Sequence, residues 1–301
     1  MKILLSGASG FLGTALRVRF AQQGHEVVRL VRRSPAAGTE FRWDPSRRQL
    51  DPAAFDGVDA VINLSGAGIA DQPWTPKRRA VLLSSRVDST TTLAQGLAAY
   101  ASSSGARPAL LQASGIAWYG TTSGPEPHRE GEPAAADWLA QVCAQWEGAA
   151  EPAVDAGLRV SYLRTTPVLD RSGGTLKLLK LPFSLGLGAK LGDGTQHMAI
   201  IGLDDWLRAV DWLLASETAS GPYNLTIPQP TTNAEFTSAF AEALHRPVFL
   251  AAPSGVLGLV GELSQQLLGD QHVVPAALTD AGFVFESPDV TTTLARALAR
   301  S

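Results

Sequence analysis

Short apolar runs alternate with longer amphipathic stretches through the first two-thirds of the chain. The runs at 2–5 (KILL), 26–31 (EVVRLV), 60–64 (AVINL), 109–112 (ALLQ) and 159–163 (RVSYL) are brief and mostly apolar, as strands buried on both faces are. Between them, 11–23, 77–100 and 137–156 carry helical spacing. Alternation of this kind predicts an α/β chain with right-handed crossovers and a doubly wound parallel sheet covered by helices on both faces.

The pattern loosens after Arg164. Residues 170–203 are rich in glycine (SGGT, GLGAKLGDG) and read as loops around one short helix, a candidate cover. Residues 204–215 begin a helix with two carboxylates, Asp204 and Asp205, at its positive end. Residues 221–225 (GPYNL) predict a strand, 232–245 a helix, and 253–296 a mainly helical region. No internal repeat or low-complexity tract interrupts this order.

Composition narrows the class. Of 301 residues, 45% are hydrophobic and 18% charged, which suits a globular enzyme with a sizeable core rather than a disordered chain. A formal net charge of −3 gives no general reason to expect nucleic acid or an anionic membrane as partner. One cysteine cannot form an internal disulfide. The N-terminal apolar run is too short for a signal peptide, and no stretch approaches the ~20 apolar residues of a membrane span. The expectation is a cytoplasmic protein, monomer or homodimer, with a small-molecule substrate.

The strongest motif is SGASGFLG, residues 6–13, which sets Gly7, Gly10 and Gly13 three apart between a strand and a helix. In that context Gly7 suits the tight turn, Gly10 admits a pyrophosphate against the backbone, and Gly13 permits close packing of helix on strand. Ser9 and the first-turn amides of Phe11 and Leu12 then face the phosphates. About 20 residues on, an NAD-preferring site offers an acid to the ribose, whereas arginine accommodates the 2′-phosphate of NADP. Here Arg32 and Arg33 follow the second strand, and the nearest downstream acid is Glu40. The spacing favours NADP(H), against the alternative of two solvated surface charges. After Leu64, which ends the third run, Ser65, Gly66 and Ala67 are small enough for ribose and diphosphate to pass closely, which makes Leu64, Ser65 and Gly66 cofactor-binding candidates. These signals predict a Rossmann-like NADP-binding domain at 1–165, rejoined by about 204–226, and a substrate-binding region at 166–301.

The opening motif resembles the signature of the extended short-chain dehydrogenase/reductase superfamily, Thr-Gly-x-x-Gly-x-x-Gly, with Ser6 in the threonine place. INLSGAGIADQPWTPKRR, SRVDSTTTL, SGIAWYG, WLAQVCAQWE, LGLGAKLGDGTQHM, QPTTNAEF and GFVFESP together resemble its epimerase-like subfamily, labelled sugar-nucleotide epimerase or "cell division inhibitor". That resemblance covers nearly the whole chain and implies a small C-terminal helical domain at about 248–296. It also implies hydride chemistry with a Tyr-x-x-x-Lys pair and a serine at the end of the preceding strand.

The chain departs from that set. If Glu147 fills the glutamate position that follows the lysine, Cys143 stands for lysine and Leu139 for tyrosine, on one helical face. The serine position falls on Gly115, with Ser114 one residue earlier. Tyr-x-x-x-Lys occurs nowhere in the chain. Candidate replacements are Tyr119 as proton donor, Ser114 as a hydrogen bond to a substrate oxygen, and Cys143 as a thiol. Each has a plainer alternative in packing, and no cation lies within a helical turn of Cys143, at 140–147. Trp138, Val142 and Trp146 form a stripe that reads as core. Arg86 takes a place where relatives carry an asparagine near the cofactor, and is read either as a contact to the diphosphate or a substrate anion, or as a solvent-exposed cation.

No metal is expected: Asp204 and Asp205 are explained by a helix N-terminus, and His128, His197, His245 and His272 lack ligand spacing. The subfamily's Trp-Ile-His-Ile-Asp-Asp-like run reads Ile200, Ile201, Gly202, Leu203, Asp204, Asp205 here, which changes the polarity of any substrate pocket inherited with it. Two functions remain open: an NADP(H)-dependent oxidoreductase or epimerase with a non-standard acid/base set, or a catalytically silent NADP(H)-binding sensor. A module that has lost its cofactor is a third, disfavoured by the intact glycine motif.

Overall fold

The computed structural model of the chain describes residues 1–122, 124–184, 188–246, 250–252 and 269–299. An eight-stranded sheet organises it, in the order β11-β7-β6-β5-β1-β2-β3-β4. Its strands are β1 (Lys2–Ser6), β2 (Glu26–Val31), β3 (Glu40–Asp44), β4 (Gln49–Leu50), β5 (Ala60–Asn63), β6 (Ala109–Gly115), β7 (Val160–Thr165) and β11 (Gly221–Leu225). β1 pairs in parallel with β2 and β5, β2 with β3, and β5 with β6, while β4 turns back antiparallel to β3 at the edge. Three short strands, β8 (Val168–Asp170), β9 (Ala189–Leu191) and β10 (Ile201–Gly202), and a fourth, β12 (Leu250–Ala252), form two small parallel pairs, β8 with β10 and β9 with β12.

Strands β1, β5, β6 and β7 are buried on both faces, as their apolar runs predict, whereas β2 alternates buried and half-buried residues. Leu4 joins a core with Val28, Val61 and Leu110 from neighbouring strands and with Leu93 and Leu97 of helix α2 (Pro76–Ser104). Ile3 and Leu5 point the other way by the strand's two-residue period and are likewise fully buried. Helix α1 (Phe11–Gln22) buries Gly13, Leu16 and Phe20, and Arg19 ties it by a 2.5 Å ion pair to Asp211 of helix α6 (Leu203–Ala215).

The chain divides into two compact units. Unit 1 comprises Met1–Ser114, Val142–Leu163 and Val210–Pro222, and unit 2 comprises Gly115–Gln141, Arg164–Ala209 and Tyr223–Ser301. Residues 115–141, inside the expected 1–165 span, group with unit 2, and of the expected return at 204–226 it is Val210–Pro222 that joins unit 1. Unit 2 has its own core, built from Leu169 and Leu176, Ile200, Phe236 and Phe240 of helix α7 (Asn233–Ala243), and Leu294 of the last helix, Val290–Ala299. Thr232 caps α7 in a reciprocal box with Glu235.

The predicted 137–156 helix is two helices, α3 (Trp138–Gly148) and α4 (Glu151–Asp155), because Gly148 and Pro152 interrupt the ladder. The predicted 170–203 loops carry helix α5 (Gly174–Ser184) together with β9 and β10. Of the mainly helical stretch expected at 253–296, residues 253–268 lie outside the described residues. Beyond it the described helices are Ala276–Asp280 and Val290–Ala299.

Candidate functional site

The turn after β1 is shaped by its glycines for different reasons. Gly7 has φ +70°, a left-handed conformation that side chains rarely adopt, and a Cβ there would stand 2.7 Å from the Leu64 backbone. A Cβ on Gly13 would stand 2.2 Å from the Gly7 carbonyl oxygen, so α1 can lie this close to the turn only with glycine. Gly10 differs: its Cβ would meet only the Gly7 oxygen, at an ordinary 3.4 Å. The protein's own packing does not demand glycine at position 10. Gly10 is the N-cap of α1, no side chain caps that helix, and no acid occupies its first turn. Its leading amides, Phe11 and Leu12 among them, therefore form a positive end that suits an anion.

A cleft of about 820 Å³ opens over this turn within unit 1. Gly7, Ser9 and Gly10 line it, as do Arg32 and Arg33 after β2, and Leu64, Ser65 and Gly66 after β5. Phe11, Leu12, Gly13 and Arg86 are not among its lining residues. Arg17 of α1 and Arg29 of β2 also line it and were not singled out by the sequence motif.

A buried polar network holds the loop beside the cleft. Ser6 Oγ donates to Asn63 Oδ1, and the Asn63 amide donates to Gln112 Oε1 (2.9 Å) and Thr90 Oγ1 (3.1 Å). The Ser65 amide donates back to Asn63 Oδ1 at 3.2 Å, fixing the start of the post-β5 loop. Sequence reasoning missed this network, although each strand involved (KILLS, AVIN, ALLQ) exchanges an apolar run for a polar residue near its carboxyl end.

The two adjacent arginines have different surroundings. Arg33 donates through both Nη atoms to the Glu40 carboxylate, at 2.7 and 2.6 Å, and Arg29 adds an ion pair at 2.9 Å. The Glu40 side chain has no solvent exposure. The Arg33 hydrogen bond and the Ala36 amide hold its carboxyl down at about 2. Arg32 is exposed and makes no hydrogen bond or ion pair among the described residues.

Leu139, Cys143 and Glu147 share one face of α3, and all three are buried. Val142 and Trp146 of the neighbouring stripe are buried and Trp138 is half-buried. Ser114, at the end of β6, donates to Glu147 Oε1 at 2.6 Å. Arg86 is not a solvent-exposed cation. It donates Nη1 to the carbonyls of Leu82 (2.9 Å) and Ala67 (3.1 Å), and its guanidinium lies 4.9 Å from the centre of the Trp146 ring. Burial pulls Arg86 below its ordinary value, and the charge of a Cys143 thiolate opposes that shift. A cation therefore does neighbour Cys143, supplied by α2 rather than by its own helix.

Tyr119 lies in unit 2, on a short 3-10 turn, Ile116–Tyr119. Its hydroxyl donates to Asn224 Oδ1 and accepts from Arg164 Nη1, each at 2.9 Å, and its ring stacks on His128 with centroids 5.1 Å apart. Burial pushes its phenol up to about 12. His197 stacks on His272 and pairs with Asp270 at 2.8 Å. Among the described residues no group of three or more His, Cys, Asp or Glu side chains could hold a metal ion. No helix among them is long and apolar enough to cross a membrane.

A largely parallel sheet with a glycine turn and an open cleft beyond its strand ends defines a Rossmann-like protein. The chain belongs to the NAD dependent epimerase/dehydratase family, whose model matches residues 3–139, and residues 252–297 match a domain of unknown function, DUF1731. It is 40% identical over 285 residues to an epimerase family protein of Mycobacterium bovis, covering 94% of this chain and 93% of that one. It is 32% identical to the mouse epimerase family protein SDR39U1, covering 96% and 97%. The crystal structure of human epimerase family protein SDR39U1 (isoform 2) with NADPH superposes with a TM-score of 0.87 at 29% identity, covering 99% of both chains. The epimerase-like family expected from the motifs is the family found.

Proposed function

We propose that the chain binds NADP(H) in the unit 1 cleft and acts as an oxidoreductase or epimerase on a small carbonyl or sugar-like compound. The observation that carries this reading is the pairing of an uncapped α1 N-terminus at Gly10 with a free guanidinium, Arg32, in one cleft. Gly7, Ser9 and Gly10, with the first-turn amides of Phe11 and Leu12, would hold the diphosphate. Leu64, Ser65 and Gly66 would lie along the ribose and diphosphate, and Arg32 would meet the 2′-phosphate. The NADPH of the human relative supports the same assignment. Bound there, NADP(H) supplies or accepts a hydride.

The chain's own residues would then handle protons without the usual tyrosine and lysine. Ser114, hydrogen-bonded to the buried Glu147 carboxylate, can orient a substrate oxygen and pass its proton towards that carboxylate. Cys143 interacts electrostatically with the Arg86 guanidinium and would be the thiol nearest that charge. Tyr119, at about 12, stays a protonated phenol at neutral pH, so its role would be that of a proton donor and not of a base. The test is to titrate NADPH and NADH into the full chain, then follow reduced-nicotinamide absorbance with a broad carbonyl panel. NADPH-selective binding and turnover that falls in Ser114→Ala, Cys143→Ala or Tyr119→Phe are expected. Absent binding overturns the whole reading.

A second reading has its own observation: Leu139 and Cys143 are buried where a proton-transfer pair belongs. On that reading the protein is a catalytically silent NADP(H)-binding sensor. It predicts tight binding without turnover, and protease protection that differs between the oxidised and reduced cofactor.

A further inference from the structure

We propose that Arg17 of α1 reads the cofactor's 2′-phosphate together with Arg32, and that Arg33 is withheld from it by Glu40. The inference rests on the NADP(H) reading above and assigns its selectivity to particular side chains.

Four arginines line the cleft: Arg17, Arg29, Arg32 and Arg33. Two are already committed. The Glu40 carboxylate, without solvent exposure, takes Arg33 through a two-point fork and Arg29 at 2.9 Å, and accepts the Ala36 amide at 2.7 Å. Arg33 spends a further contact on the Ser34 carbonyl at 2.8 Å. Turning Arg33 towards a phosphate would strip a buried carboxylate of its bidentate partner, which is costly where water cannot replace it. Arg17 and Arg32 make no hydrogen bond or ion pair among the described residues, so all their donors remain for a ligand. A phosphate monoester dianion matches two guanidiniums in charge and in fork geometry.

An arginine-after-the-second-strand rule nominates Arg32 and Arg33 equally. The third strand separates them, because Glu40 enters it pointing inward. Arg17 comes from a different element, about 10 Å along α1 from its Gly10 cap.

The experiment measures calorimetric dissociation constants of the full chain for NADPH, NADH, 2′,5′-ADP and 5′-AMP. The variants are Arg17→Gln, Arg32→Gln, Arg17→Lys and the double variant Arg33→Gln/Glu40→Gln. The double variant removes both members of the fork, so that its folding does not depend on a carboxylate deprived of that partner. Arg17→Gln and Arg32→Gln should each weaken NADPH and 2′,5′-ADP roughly ten- to hundredfold while leaving NADH and 5′-AMP within about twofold. Arg17→Lys should fall between wild type and Arg17→Gln. The double variant should keep the NADPH preference within about threefold. An unchanged NADPH/NADH ratio in Arg17→Gln overturns the proposal, as does equal weakening of both cofactors or loss of preference in the double variant. A wild-type chain with no preference would instead remove the NADP(H) reading itself, a separate result.

Discussion

Glu40 shows how one side chain can serve both the fold and the cleft. It sits at the start of β3, fully enclosed, with two guanidiniums and a backbone amide on its oxygens. Those donors favour the ionised form, so the folded-state value falls to about 2 from the usual carboxylate range. A depressed value stabilises the fold at every pH above the unfolded-state value of about 4.3. That stabilisation is lost progressively as pH falls from there through about 2. Urea unfolding should therefore separate wild type from Glu40→Gln by a constant margin above pH ~5, and the margin should shrink towards zero as pH approaches 2. A margin that stays constant down to pH ~2 would mean that the carboxylate is not held in its ionised form.

The turn from β1 into α1 makes the clearest case at the scale of elements, since its three glycines part company under substitution. Gly13→Ala forces a backbone shift against Gly7 and should cost about 1–3 kcal/mol of stability. Gly10→Ala meets no obstacle in the protein, and as an N-cap change should cost under about 1 kcal/mol. It should still weaken NADPH binding strongly, because the added methyl stands where the diphosphate approaches. Denaturation midpoints and calorimetric affinities on the two variants would separate the effects; equal loss of both properties in Gly10→Ala would count against a ligand over that turn. This turn, β1, β2, β5, β6 and the long α2 were legible because local period and a fixed motif determine them. β3 was not, since EFRWD carries three charges in five residues and becomes a strand only by pairing with β2. Nor was the cation beside Cys143, because Arg86 reaches α3 from another helix. Tyr119 was visible as a residue after a strand, but Arg164 and Asn224, which hold its hydroxyl, lie 45 and 105 positions away in sequence.

For the whole molecule, the question is where a bound dinucleotide would register. All residues lining the cleft belong to unit 1, spread over the turn after β1, α1, β2, β3 and the turns that follow them, the loop after β5 and α2. A ligand that joins these elements stabilises by mass action, by about 2.7 kcal/mol at a hundred times its dissociation constant. Native-state amide exchange under those conditions should slow first in β1, β5 and the opening of α1, whose amides flank or face the cleft. It should slow less in the unit 2 core around Leu169, Phe236 and Leu294, which has its own apolar contacts and no cleft residue. The oxidoreductase reading allows the same pattern with NADPH and NADP+, because turnover needs both forms to bind. The sensor reading requires the two maps to differ outside the cleft, since a signal must leave the site to be read. Matching maps for the two redox forms, with protection confined to unit 1, would therefore leave no route for sensing and favour chemistry at the cleft.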